Sequence, residues 1–418
     1  MTNCRMVALV SGAALACVCL VSPAAAAVKK QSKTINGVKV DLYSWKDSTG
    51  FKRSVALKKQ GEGNPGNGGY AVQMTFDDIG GVQKANAPKG DGFGYFVSHE
   101  RYRAFTDGDS NTIAGKIFKT DDSPLGRNFP VETSYGADET SFKSVTFSTV
   151  YGRYGTKKPG GIDANTGEDK PKIGLKKKLF ERYDIPVKLT WFFEDGKTYP
   201  RLRVEVDLSK TPGPDHVSFD LRAPYGKLDF DGGDNPIQYV TWGDRFKFQN
   251  TDAPITRNSR WIWNVPNTDA ARYNALVSNG KEMGLVEPKL YTKSALNDGY
   301  SDGRGETYAT HDAAAAGCAG QELPCDYEWP YQSSQYELPY DDPNGATTSE
   351  KIAWGSTPFY GMSISSTFDG VSGVPFNGFP KKKKIVYDVC VVFGPHVAGG
   401  LARSIAEKGG DYDCARAK

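Results

Sequence analysis

The sequence is short of the residues and motifs on which several kinds of chemistry depend. Only four histidines occur, at positions 99, 216, 311 and 396. The chain contains no G-x-S-x-G elbow, phosphate-binding G-x-x-x-x-G-K-[ST] loop, H-E-x-x-H or C-x-x-C-H. Esterase, nucleotide-dependent, zincin and c-type haem chemistries therefore lack their usual signatures. Net charge is only +3 for 418 residues, which implies no polyanion-binding field, so nucleic acid is not expected as a partner. Beyond the N-terminus no apolar run is long enough to span a bilayer, which excludes integral membrane association through helices. Helical periodicity is scarce as well.

The N-terminal stretch MTNCRMVALVSGAALACVCLVSPAAAA has a basic n-region at Arg5, an apolar h-region from Met6 to Val21, and small residues from Pro23 to Ala27. This is the pattern of a secretory signal peptide over residues 1–27, with cleavage expected near Ala26 or Ala27. Export to the periplasm or the medium follows. Removing the leader leaves 51 basic against 49 acidic residues. It also leaves Cys318, Cys325, Cys390 and Cys414, an even set that reads as two disulfides in an oxidising compartment. Of three formal connectivities, proximity favours Cys318–Cys325 and Cys390–Cys414. A four-cysteine metal site would need C-x-x-C spacing, which is absent.

Period-two alternation dominates the rest. Tyr70, Val72, Met74 and Phe76 share one face, and so do Val187, Leu189, Trp191 and Phe193 before a turn at Asp195-Gly196. Leu202, Val204, Val206 and Leu208 alternate after that turn, as in a hairpin. From Ile385 to Phe393 the chain is apolar almost throughout, as in a strand buried on both faces. Two segments carry helical spacing: Asp269–Gly280, capped by Thr268, and His396–Gly410. The expected fold is all-β, a large antiparallel β-sandwich with two short helices in one domain over 28–418. A sub-boundary is placed near the polar loop 156–172.

The hairpin, the Trp-rich strands and the closing YDVCVVFGPH together resemble the β-supersandwich of galactose-mutarotase-like domains of carbohydrate-active enzymes, over roughly 185–395. That resemblance implies a sugar-handling fold. The paired histidines and glutamate of mutarotases have no counterpart among these four histidines, which counts against epimerase chemistry.

Candidate site residues come from three places. In YVTWGDRFKFQ, Val240, Trp242, Phe246 and Phe248 alternate as core residues would, with Asp244 among them, while Tyr239 and Arg245 take the other face. A sugar ring can pack on Tyr239 or Trp242, and Arg245 can hold its hydroxyls. A carboxylate on an apolar strand is desolvated or paired, and desolvation raises its pKa toward general-acid duty, which makes Asp244 a candidate acid. Glu282, with Glu287 nearby, is the candidate second carboxylate of a glycosidase pair. In GYFVSHERYRAF, His99 lies between cations, so it could move a proton while Arg101 and Arg103 hold an acidic sugar. Structural ion pairs and solvated strand faces explain the same residues without function.

The resulting expectation is an exported glycoside hydrolase acting on an oligo- or polysaccharide. A polysaccharide lyase using His99, Arg101 and Arg103 is the alternative, and a non-catalytic glycan-binding or envelope protein is another. No cofactor is required. The Asp/Asn/Gly loops TDGDSN and FDGGDN admit calcium, although no EF-hand pattern completes.

Overall fold

A computed structural model describes residues 27–62, 68–87, 92–98, 131–156, 180–210, 220–230, 239–243, 248–251, 262–264, 273–288, 351–354, 362–363 and 384–418. Among these residues two antiparallel sheets pack face to face. The nine-stranded sheet runs β1 (Lys29–Ile35), β2 (Val38–Lys46), β3 (Lys52–Lys58), β4 (Ala71–Asp78), β5 (Gly81–Asn86), β11 (Asp220–Phe230), β17 (Lys351–Trp354). Strands β6 (Phe93–Ser98) and β18 (Met362–Ser363) also pair with β11. The ten-stranded sheet begins β14 (Ile262–Asn264), β13 (Phe248–Thr251), β12 (Tyr239–Gly243), β15 (Tyr273–Ser278), β16 (Lys281–Val286). It continues β19 (Lys384–Pro395), β10 (Arg201–Asp207), β9 (Phe180–Glu194), β8 (Phe142–Thr156), β7 (Glu132–Asp138).

The alternation read from the sequence is what builds the interior. Val72, Met74 and Phe76 from one sheet meet Val187, Leu189, Trp191 and Phe193 from the other in one buried cluster. Aromatic contacts lock the sheets together: Tyr43 stacks on Phe193 at 4.4 Å, and Phe76 meets Phe393 edge-on at 4.9 Å. The Trp191 indole is fully buried and donates to the Gly69 carbonyl at 3.1 Å. Strand β19 is buried on both faces from Val389 to Gly394, whereas Val386, earlier in the same apolar run, is 45% exposed. Val389, Val391 and Phe393 join the interior, while Cys390 and Val392 join a second cluster on the outer side of the ten-stranded sheet.

That second cluster is covered by the single helix among the described residues, α1 (Leu401–Glu407), and by the C-terminal tail. The Cys390–Cys414 disulfide ties the tail to β19 across 24 residues, as expected. Cys318 and Cys325 lie outside the described residues, as does the leader, residues 1–26. The helix is far too short to cross a membrane, and no described helix is long and apolar enough to do so.

Three expectations change. The segment Asp269–Gly280 is not a helix: its described part is β15, followed by a tight turn into β16. Asn279 and Gly280 both have positive φ, 47° and 69°, the geometry of a two-residue hairpin turn that Asn-Gly favours. Tyr273, Ala275, Leu276 and Val277 are all buried, so a strand covered on both faces imitated helical spacing. The second helix starts later than expected, because Gly399 and Gly400 hold φ of 83° and 98° immediately before it. The Asp195-Gly196 turn is present with Gly196 at φ 80°, but the connection is longer, running from Glu194 to Arg201. The Trp45 indole donates to the Lys197 carbonyl and Asp413 accepts from the Thr198 N–H, so this link is held by the other sheet and by the tail.

Candidate functional site

Glu282 is the one candidate carboxylate whose side chain is described. Its strand is placed by the Asn279-Gly280 turn and by pairing with β19, where Glu282 lies opposite Gly394. The side chain is 0% exposed. Its Oε1 accepts the Ala402 N–H at 2.7 Å, and its Oε2 accepts the Leu401 N–H and contacts His396 Nδ1, each at 2.7 Å. Helix α1 has no cap of its own: Gly400 stands at its N-cap, and no acidic residue occurs in its first turn. The first backbone N–H groups of a helix need acceptors, and the helix dipole favours a negative charge there. Glu282 supplies both from the neighbouring strand. A glycosidase base has to meet a water and an acid has to meet the leaving oxygen, whereas this carboxylate faces backbone and imidazole. Its described role is to position the helix.

Backbone pairing puts Tyr239 opposite Val277, which is opposite Glu282, so Tyr239 and Glu282 share one row of the sheet. At a strand spacing of about 4.8 Å they are separated by roughly 10 Å. Trp242 pairs with Asn274, in the opposite alternation from Tyr239. Asp244, Arg245, His99, Arg101 and Arg103 lie outside the described residues, and so do most of the Asp/Gly loops considered for calcium. Among the described residues no group of three or more His, Cys, Asp or Glu side chains is arranged to hold a metal.

Two other charged constellations stand out. Between the sheets, Arg53 is buried and donates to Asp47 at 2.9 Å and to the Phe393 carbonyl at 2.6 Å. Beside it, Arg53, Ser54, Thr75 and Tyr199 help line a cavity of about 10 Å³, room for about one water and far below a ligand pocket. At the sandwich edge, Asp41 accepts from the Tyr135 hydroxyl at 2.8 Å and pairs with Lys30 and Lys59 at 3.3 and 3.2 Å. Burial pushes Asp41 up, but the hydrogen bond from Tyr135 and the two ammonium groups outweigh it and hold the carboxyl below its ordinary range. Tyr135 is pushed up to about 12 by desolvation, then by its bond to Asp41 and that charge. A phenol held protonated this way is a donor. The network links β1–β3 to β7 and so ties the two sheets at their open edge.

No protein-family model matches the chain, and comparison with curated proteins gives no match. Two solved structures show a distant likeness to it. One is a protein in glycosyl hydrolase family 38 from Enterococcus faecalis, at 8% identity and a TM-score of 0.34. The other is an alpha-mannosidase from Enterococcus faecalis V583, at 8% identity and a TM-score of 0.33. Each alignment covers 85% of this chain but only 32% and 30% of the respective structure, so the chain spans about a third of their length. No residue role is carried over from them.

Proposed function

We propose that the protein is exported and acts on carbohydrate, hydrolysing glycosidic bonds of an extracellular or envelope glycan. The observation that carries this reading is the pair of large antiparallel sheets, nine and ten strands packed face to face, which the resemblance to galactose-mutarotase-like domains implies. Such a fold argues for a ligand class, and the reaction has to be argued from side chains. Export is supported by the leader-like N-terminus and by the Cys390–Cys414 bridge. In this reading Asp244, immediately after β12, and His99 move protons, while Arg101, Arg103 and Arg245 hold the substrate and Tyr239 and Trp242 pack against it.

One observation favours a second reading, a non-catalytic glycan-binding protein. Glu282, expected as half of a carboxylate pair, is engaged by backbone N–H groups and His396. The deciding experiment incubates the oxidised mature protein, with calcium supplied, against neutral and acidic polysaccharides. New reducing ends without ultraviolet absorbance, abolished by Asp244→Asn, are expected. Absorbance from unsaturated uronic acid alongside the reducing ends would instead mark a lyase. Binding without either signal would make it the glycan-binding protein.

A further inference from the structure

The first three strands carry a charge imbalance that the whole-chain total hides. Residues 28–62 contain Lys29, Lys30, Lys33, Lys39, Lys46, Lys52, Arg53, Lys58 and Lys59 against Asp41, Asp47 and Glu62. Every one of those acids is already engaged: Asp41 by Lys30 and Lys59, Asp47 by Arg53, and Glu62 by Lys39. Lys29, Lys33, Lys46 and Lys52 are exposed and make no ion pair among the described residues.

Register gathers these four on one face. Tyr43 packs toward the ten-stranded sheet through Phe193, and Val55 and Arg53 share its alternation. Lys46 and Lys52 occupy the opposite alternation and lie directly across from each other on β2 and β3. Lys29 lies opposite Ser44, two residues from Lys46, and Lys33 lies opposite Val40. From the level of Val40 to that of Lys46 the track runs roughly 20 Å along the strands at about 3.4 Å per residue. Like charges placed directly opposite one another destabilise a sheet unless something neutralises them. Asp77 on β4 and Asp195, which accepts the Lys46 backbone N–H at 3.2 Å, are the acids of this neighbourhood, and neither forms an ion pair with any of the four lysines.

We propose that this exposed margin of β1–β3 binds an acidic polysaccharide, one carrying carboxylates or sulfates, with Lys46 and Lys52 at the centre of the contact and Lys29 and Lys33 extending it along the edge strand. The proposal rests on the carbohydrate reading above and names the substrate class within it. Val40, Leu42, Ser54 and Ala56 on the same alternation are buried. The open surface is therefore the edge strand β1 with Lys29 and Lys33, and the end of β2 and β3 that carries Lys46 and Lys52. An extended polyanion can follow that margin past the half-buried Ser44. An anionic membrane fits less well. The neighbouring hairpin tip does expose Ile79, but Asp77 and Asp78 precede it and would be repelled by such a surface.

The test measures binding of the oxidised mature protein to polygalacturonate and dextran sulfate, with neutral dextran and phosphatidylglycerol vesicles as comparators. Lys46→Gln with Lys52→Gln should weaken polyanion binding about tenfold, the combined effect of two surface ion contacts. Lys188→Gln, an exposed lysine on β9, should leave it unchanged, and melting curves should confirm that all three proteins fold. Unaltered affinity in the double variant, or no polyanion binding by the wild type, overturns the assignment. Tighter binding to the vesicles than to either polysaccharide overturns it in favour of a membrane surface. Turnover of a neutral glycan with no polyanion binding refutes this face while leaving the carbohydrate reading standing. Absence of any carbohydrate binding or turnover refutes both.

Discussion

Glu282→Gln separates a helix anchor from a catalytic carboxylate, because the two roles predict opposite outcomes. The substitution keeps the shape and turns one acceptor oxygen into a donor. Whichever way the amide is turned, its NH₂ meets either the Ala402 N–H or the Leu401 N–H with His396. At least one charge-assisted hydrogen bond is lost, about 1.5–3 kcal/mol, and one buried N–H is left without an acceptor, about 1–3 kcal/mol. Favourable interaction with the helix N-terminus is lost too, up to about 2 kcal/mol in buried geometry. These terms overlap, so the net expectation is about 3 kcal/mol, on the order of a hundredfold in the folded-to-unfolded ratio. Urea unfolding followed by tryptophan fluorescence reads the total. Amide hydrogen exchange over Leu401–Glu407 reads the location, since faster exchange should be concentrated there. A variant within about 0.5 kcal/mol of wild type that loses polysaccharide turnover would refute the anchoring argument and restore Glu282 as a catalytic group.

Two further outcomes follow from the described contacts. Asp41 titrates below its ordinary value in the folded protein, so the unfolded chain takes up the proton first. The stability it contributes is present above about pH 4 and is lost as pH falls through the depressed folded value; melting curves from about pH 6 to 2 should therefore drop more steeply for wild type than for Asp41→Asn, and parallel curves would refute this. The Cys390–Cys414 bridge closes a loop of 24 residues, so Cys390→Ala with Cys414→Ala should cost about 3 kcal/mol in the same urea assay, and an unchanged midpoint would refute it.

What the sequence revealed depended on whether a segment's pattern had one physical explanation. Val187 to Phe193 and Leu202 to Leu208 alternate cleanly because each strand has one apolar face and one polar face, and both segments are strands with the expected faces buried. Tyr273 to Val277 is buried on both faces, which removes the period-two signal and leaves a run that also fits a helix. A hairpin signal lies in Asn279-Gly280, two residues between two strand-like segments, but a glycine at the end of a helix-like run equally fits a helix stop. The tie between Glu282 and Leu401 was not legible by any local rule. The residues it joins are 119 apart in sequence, and the hint was negative: a helix beginning after two glycines, without a Ser, Thr, Asp or Asn to cap it. The lysine row was hidden by averaging, since a net charge of +3 over the chain conceals the excess on its first three strands.

The two sheets thereby differ in what their outer faces can offer. On the ten-stranded sheet, β15, β16 and β19 are covered by α1 and by a tail held through Cys414. Arg201 and Arg203 bind Asp411 and Asp388, and Arg416 and Lys418 reach Glu139, so the cations along this seam already have acidic partners. On the nine-stranded sheet Asp41 and Asp47 are engaged from the inner side and the edge, which leaves Lys29, Lys33, Lys46 and Lys52 without an ion pair among the described residues. Cations neutralised within the fold contribute little attraction to an approaching polymer, whereas an un-neutralised row does so at distances up to about a Debye length. If the protein meets an acidic glycan, the first contact is thus expected on β1–β3, and raising the salt should weaken that contact more than it weakens packing of the helix and tail on the opposite sheet.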